Sequence, residues 1–141
     1  MIPENEIITN LYIGNRYSLN KAHQYGLIVN CTPPGQAPVV DISKTIRVPV
    51  DDIPEEDDHL CELIHSLHIL EKIHEQLSAS NKVLVHCMAG RQRSCAVVAC
   101  YLIKYYNMTP VQAVQFIQSK RREAFFGSVN FHKTINSFYI K

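Results

Sequence analysis

The stretch Lys82-Val-Leu-Val-His86-Cys87-Met88-Ala89-Gly90-Arg91-Gln92-Arg93-Ser94, running on into Cys95-Ala-Val-Val-Ala-Cys-Tyr-Leu-Ile103, decides how this chain is read. The unbroken apolar centre at Val83, Leu84 and Val85 is that of a short strand buried on both faces. From Ser94 to Tyr106 the chain reads as a helix, apolar almost all round and therefore central. Between them lies a loop with a cysteine at its start, a glycine inside it, and an arginine and a serine at its end. A loop entering a helix turns successive backbone N–H groups inward, and the helix N-terminus adds partial positive charge. The predicted result is an anion cradle built from Met88, Ala89, Gly90, Arg91 and Gln92. Gly90 permits the backbone angles this needs. Arg93 can grip two oxygens of one phosphate, and the same field favours a thiolate at Cys87.

A thiolate beneath a tetrahedral phosphate is placed for in-line attack on phosphorus, which makes the intermediate a phosphocysteine. Ser94 can donate a hydrogen bond to the sulfur and help it leave. His86 is expected to hold the loop by hydrogen bonds and to tune the thiolate.

Working outward, Glu6 to Thr9 and Leu11 to Ile13 read as two short strands around Asn10, and Ser18 to Tyr25 as a short helix stopped by Gly26. Leu27 to Cys31 is a buried strand followed by the Pro33-Pro34-Gly35 turn, and Thr45 to Val50 another, whose Pro49 suits an edge or a strand end. After Pro54 one helix is predicted. Its apolar stripe is Leu60, Leu63, Ile64, Leu67, Leu70, Ile73 and Leu77, ending near Ser78 to Asn81. Thr109-Pro110 opens a helix to about Arg121, and a last helix runs from about Asn130 to Tyr139. Strands alternating with helices give an α/β fold: a mostly parallel, partly mixed sheet of four to five strands with helices on both faces. Ligands in such sheets bind at the carboxyl ends of strands, which singles out the strand ending at His86.

The 141 residues, 46% hydrophobic and 19% charged, fit one domain spanning 1–141 with a full core of its own. A net charge of +1 gives no global field towards nucleic acid or acidic membrane, although a local basic patch stays open. The longest apolar run, Cys95 to Ile103, is far short of the ~18 residues a membrane span needs. No signal peptide is visible at Met1 to Glu6. Five cysteines with no Cys-x-x-Cys pair suggest a reducing compartment, by default the cytosol, with the nucleus open. Cys61, His65 and His68 have metal-ligand spacing but no fourth partner, so no metal is expected. Cys31, Cys95 and Cys100 are read as core residues, with Cys31 the best placed to pair with an oxidised Cys87.

His86-Cys87-x5-Arg93-Ser94 between a strand and a helix resembles the cysteine-dependent protein tyrosine phosphatases, most closely their small dual-specificity branch. Glu6 to Gly14 resembles that branch's opening strand pair, Gly26 to Cys31 its next strand, and Val48-Pro-Val-Asp-Asp52 the segment bearing its general acid. The resemblance implies an Asp on a mobile loop that protonates the leaving oxygen. Asp52, 35 residues before Cys87, fits best, with Asp51 beside it as the fallback. The charged run Glu55 to Asp58 reads instead as a solvated first helical turn. No cofactor is implied, because Arg93 and the loop amides carry the charge stabilisation. Arg122 occupies the place where some dual-specificity members bind a second substrate phosphate. Gly127-Ser-Val-Asn-Phe131 departs from the branch's Pro-Asn-x-Gly-Phe, and Thr134 from its Gln, at positions expected to serve packing rather than chemistry.

The resemblance implies a phosphorylated protein as substrate, carrying phosphotyrosine or phosphoserine/phosphothreonine. Arg91 and the 120–122 cluster leave two other substrates for the same chemistry, a phospholipid or inositol headgroup and an RNA 5′-phosphate. No other nucleic-acid partner is expected. A non-catalytic phosphate reader is the remaining rival, and it has no need of a thiol or an acid.

Overall fold

A computed structural model describes residues 2–139. Its strands are β1 (Glu4–Ile8), β2 (Leu11–Gly14), β3 (Leu27–Asn30), β4 (Thr45–Arg47) and β5 (Val83–His86). Its α-helices are α1 (Asp57–Ser66), α2 (Ile69–Ser78), α3 (Arg93–Tyr106), α4 (Pro110–Lys120) and α5 (His132–Ser137). The sheet order is β1-β2-β5-β3-β4. Only β1 runs antiparallel to its neighbour, turning into β2 through Asn10 at φ 70°. In the central trio the register sets Gly14, His86 and Asn30 side by side, so β2, β5 and β3 end at one level. The loop after His86 emerges between the other two strand ends.

Side chains alternate across the sheet as a strand's period of two requires. Leu11, Ile13, Leu27, Val29, Val83 and Val85 face the main core under the α-helices. Tyr12, Ile28 and Leu84 face the other side, where Tyr25, Leu19 and Ala22 cover them. Leu19 and Ala22 belong to a 3-10 helix, Arg16–Gln24. Helical structure therefore lies on both faces, the α-helices on one and the 3-10 helix on the other. Every residue of α3 from Arg93 to Ile103 is buried, so a truncation such as Leu102→Ala costs about 2–5 kcal/mol.

Several boundaries differ from the sequence reading, and β4 stops at Arg47 instead of running to Val50. The helix expected after Pro54 is two helices, broken at His68, which sits at φ 53°. The apolar stripe crosses the break because Leu60 and Ile64 of α1 and Ile69, Leu70 and Ile73 of α2 all reach the same core. The 3-10 helix begins earlier than Ser18, because Asn15 and Ser18 form a reciprocal cap at its start. The last helix is confined to His132–Ser137.

Asp57 also departs from the expected solvated turn. It is buried, and its carboxylate accepts from the backbone N–H of Lys133 and Thr134 and from the Thr134 hydroxyl at 2.6–2.9 Å. It therefore caps α5 from 76 residues away. Of the residues with metal-ligand spacing, His65 stacks on Phe138 at 4.8 Å and Cys61 Sγ lies 3.5 Å from Ser137 Oγ.

Candidate active site

The loop 87–92 is pinned from outside by its carbonyls. Met88 O accepts from the Arg16 backbone N–H and from Arg16 Nη1, both at 3.2 Å. Ala89 O and Gly90 O accept from Arg121 at 3.3 and 2.8 Å, and Arg91 O from the Phe125 N–H at 2.8 Å. Gln92 O starts the α3 ladder at Ala96. Five successive carbonyls thus face outward. Peptide planarity turns their amides the opposite way, and none of the N–H groups of residues 88–92 finds an acceptor among the described residues. Unmatched donors converging at the start of a helix form an anion site. Gly90 is obligatory here: it sits at φ 68°, and a Cβ would meet Arg121 Nη2 at 2.5 Å and Gly14 O at 2.6 Å.

Cys87 lies at the floor, 2% exposed, its Sγ 3.2 Å from the buried Ser94 hydroxyl. Arg93 is 4% exposed and held by one edge. Its Nη1 donates to Gln36 Oε1 at 2.8 Å and to Val50 O at 2.9 Å, while its buried Nε has no partner among the described residues. A buried guanidinium N–H of this kind suits an oxyanion. His86 is fully buried, and neither ring nitrogen makes a hydrogen bond among the described residues. Burial pushes its pKa down to about 4; contact with the Cys87 backbone opposes this, and the charges of Arg47 and Arg93 add to it. The hydrogen bonds expected of His86 are therefore not what holds the loop. Arg16, Arg121 and the Cys31 N–H on His86 O (2.8 Å) do that work.

Asp52 and Asp51 are both exposed. Asp52 Oδ1 accepts from Asn130 Nδ2 at 2.9 Å, and the Asn130 N–H donates to Gln92 Oε1 at 3.0 Å. Gln92 also donates to Ser128 O at 2.7 Å. The expected cradle residue Gln92 thus turns its side chain to the 128–130 segment, which in turn holds Asp52. Asp51 instead accepts from Gln36 Nε2 at 3.4 Å. The 127–131 segment, expected to serve mainly packing, thus ties Asp52 to Gln92 of the loop.

The chain matches the family described as dual specificity phosphatase, catalytic domain, over residues 11–141. This chain is a member of the dual-specificity phosphatase family. A tyrosine phosphatase-type protein, 123R, of Invertebrate iridescent virus 6 is 30% identical over 135 residues, covering 94% of this chain and 89% of that protein. The phosphatidylglycerophosphate phosphatase PTPMT1 of Arabidopsis thaliana is 33% identical over 72 residues, 51% of this chain and 21% of that protein. The crystal structure of human DUSP28 shares the fold at a TM-score of 0.80, with 24% identity and 98% and 93% of the two chains covered. This chain thus spans most of one of these curated relatives and about a fifth of the other.

Within this dual-specificity phosphatase fold, the neighbouring arginines Arg121 and Arg122 lie in different surroundings. Arg122 is exposed, beside a cleft of about 290 Å³ that it shares with Arg91, Glu123 and Phe126. Arg121 is 1% exposed and bonds Gly90 O, Ala89 O and Asn5 Oδ1. Nothing in the run Ser119 to Glu123 marks which arginine turns inward. The last turn of α4 decides it. Cys31, Cys95 and Cys100 are wholly buried, as expected, and burial is the largest cause raising each thiol pKa. For Cys31 and Cys95 the next cause is charge at Cys87.

Proposed function

We propose that this chain hydrolyses phosphotyrosine and phosphoserine/phosphothreonine on proteins through a phosphocysteine on Cys87. The observation that carries this is one set of groups around one point: a buried sulfur with a serine hydroxyl 3.2 Å away, unmatched loop amides, and an arginine held by one edge. In the first step Cys87 sulfur attacks phosphorus and the P–O bond to the substrate breaks. Asp52 gives its proton to the leaving oxygen. In the second step Asp52 takes a proton from water, the water oxygen attacks phosphorus, and the S–P bond breaks with Ser94 donating to the sulfur. Arg93 and the amides hold the equatorial oxygens in both steps. Family membership supports this chemistry, and the exposed position of Asp52 suits phosphorylated side chains of different length. The five free cysteines suit a reducing compartment, so we place the protein in the cytoplasm, with access to the nucleus.

A second reading has its own support. Arg91 of the Gly90-Arg91-x-Arg93-Ser94 run lines a cleft with Arg122 and Phe126, which is 76% exposed, and the Arabidopsis phosphatidylglycerophosphate phosphatase is among the relatives. An apolar side chain next to free arginines suits a lipid phosphate at a surface. Turnover of matched phosphotyrosine, phosphoserine and phosphothreonine peptides, set against phosphatidylglycerophosphate in mixed micelles, separates the two. Hydrolysis of the peptides at a higher kcat/KM supports the protein reading. Hydrolysis confined to the lipid overturns it.

A further inference from the structure

The sheet ends on β1, and among the described residues no strand pairs with its outer side. A groove of about 470 Å³ is lined by Glu6 to Thr9 on the strand side and by Tyr106, Phe116 and Lys120 on the helix side. Successive side chains of a strand point to opposite faces, so a cavity touching four residues in a row lies along the strand's edge. The inner edge is taken by β2. We propose that this groove is a docking site for a partner protein, taking an extended segment that adds beside β1 as a sixth strand and carries an apolar and an acidic side chain two residues apart. The site is independent of which phosphate Cys87 attacks.

The backbone is prepared for such a strand. An antiparallel edge strand bonds its neighbour through alternate residues and turns the N–H and C=O of the others outward. Ile7 also falls out of register, since Glu6 faces Tyr12 and Ile8 faces Leu11, so a bulge lies in the groove wall. Outside the β1–β2 ladder, no backbone–backbone bond among the described residues involves positions 5–9. Charges often guard such an edge. Here the two carboxylates of β1 are already engaged, Glu4 with Lys21 at 3.1 Å and Glu6 with the Asn10 N–H at 2.9 Å.

The helix side sets the chemistry of the segment. Ala113 and Ile117 bury α4 in the main core, while Phe116 and Lys120, one turn apart, line the groove. Lys120 Nζ lies 5.5 Å over the Phe116 ring, and among the described residues no carboxylate is within ion-pair distance of it. Four helical residues rise ~6 Å, and alternate residues of a strand are ~6.7 Å apart. An apolar side chain of the added strand therefore meets Phe116 while an acidic one two residues away meets Lys120. A second copy of this chain fits less well, because antiparallel pairing of two β1 edges brings Glu4 and Glu6 of one copy towards those of the other.

The probes are fluorescein-labelled nonapeptides on a threonine/serine frame, capped at both ends, with phenylalanine, glutamine, glutamate or lysine at two central positions two residues apart. Fluorescence anisotropy should rank the phenylalanine–glutamate peptide first. It should bind at least about tenfold tighter than the phenylalanine–lysine peptide, the factor given by one charge-assisted hydrogen bond. Lys120→Glu should reverse that order, a rescue that general loss of structure does not produce. N-methylation of alternate peptide amides removes the pairing donors from one edge of the added strand, and in one of the two registers it should weaken binding at least about tenfold. Bound peptide should slow hydrogen–deuterium exchange across residues 4–9. Absence of saturable binding by the phenylalanine–glutamate peptide below about 1 mM overturns the proposal. Full affinity in both N-methylated registers overturns it too, as does an unchanged ranking in Lys120→Glu. A dimer in analytical ultracentrifugation, with residues 4–9 protected before any peptide is added, would put a second copy in the groove and refute the peptide reading.

Discussion

Arg93 Nη1 lies 2.8 Å from Gln36 Oε1, while Gln36 Nε2 reaches Asp51 Oδ1 at 3.4 Å. A side chain next to the Pro33-Pro34-Gly35 turn therefore joins Arg93 to the segment bearing Asp51 and Asp52. Val50 O holds the same Nη1 at 2.9 Å, so the guanidinium keeps one anchor when Gln36 is lost. Gln36→Ala should raise KM about three- to tenfold and leave kcat within about threefold, since one hydrogen bond to a charged group contributes roughly 1.5–3 kcal/mol and a second anchor remains. Gln36→Glu should restore the bond but add a carboxylate beside the phosphate, raising KM further. Steady-state kinetics on an aryl phosphate checks both. Equal KM for all three proteins would remove Gln36 from the positioning of Arg93.

The acid is tested by leaving group. Asp52→Asn should lose little on an activated aryl phosphate and about 10²–10⁴ on a poorly activated one, because only the latter needs its oxygen protonated. Asn130→Ala should show a weaker version of the same dependence, because it frees Asp52 without removing it. Asp51→Asn should show neither. A reversal between Asp51 and Asp52 would move the proton to the neighbouring carboxylate.

Arg121→Ala removes donors from Gly90 O, Ala89 O and Asn5 Oδ1 in a fully buried place. Stability should fall by about 3 kcal/mol or more, and kcat/KM at least about tenfold as the loop loosens. Arg122→Ala, on the surface, should change stability by under about 0.5 kcal/mol. Urea unfolding alongside kinetics reads both, and similar stability losses for the two variants would contradict the assignment.

His86 gives a pH signature. Its pKa is held at about 4 in the folded protein, below the ordinary 6.5, so between those values the unfolded chain binds the extra proton. The stabilisation is therefore present above pH ~6.5 and lost as pH falls towards 4. From pH 7 to pH 5 this one group should remove roughly 2 kcal/mol. His86→Gln should show a correspondingly flatter loss in urea titrations at the two pH values. Parallel curves for wild type and variant would mean that His86 is not the group responsible.

The β5–loop–α3 unit was legible because its signals are local. Apolar Val83 to Val85, Cys87, Gly90, Arg93 and Ser94 each act within a dozen residues of one another. What escaped depends on partners far along the chain. Asp57 looks like any acidic first turn until Thr134 arrives to bond it. Asn130 looks like loop filler until Asp52 and Gln92 flank it. Arg121 and Arg122 are indistinguishable in composition, and only the angle at which α4 ends sends one inward. The break at His68 was hidden because it leaves the apolar stripe continuous.

The most direct measurement of the central claim is rapid acid quench during turnover of a phosphotyrosine peptide, followed by mass analysis of the fragment holding Cys87. The Asp52→Asn variant, in which breakdown of the intermediate lacks its base, should accumulate the most. One phosphoryl group on Cys87, appearing before free phosphate and absent in Cys87→Ser, is the predicted result. Steady turnover with no phosphoryl group on Cys87, or with full activity retained in Cys87→Ser, would contradict the phosphocysteine mechanism.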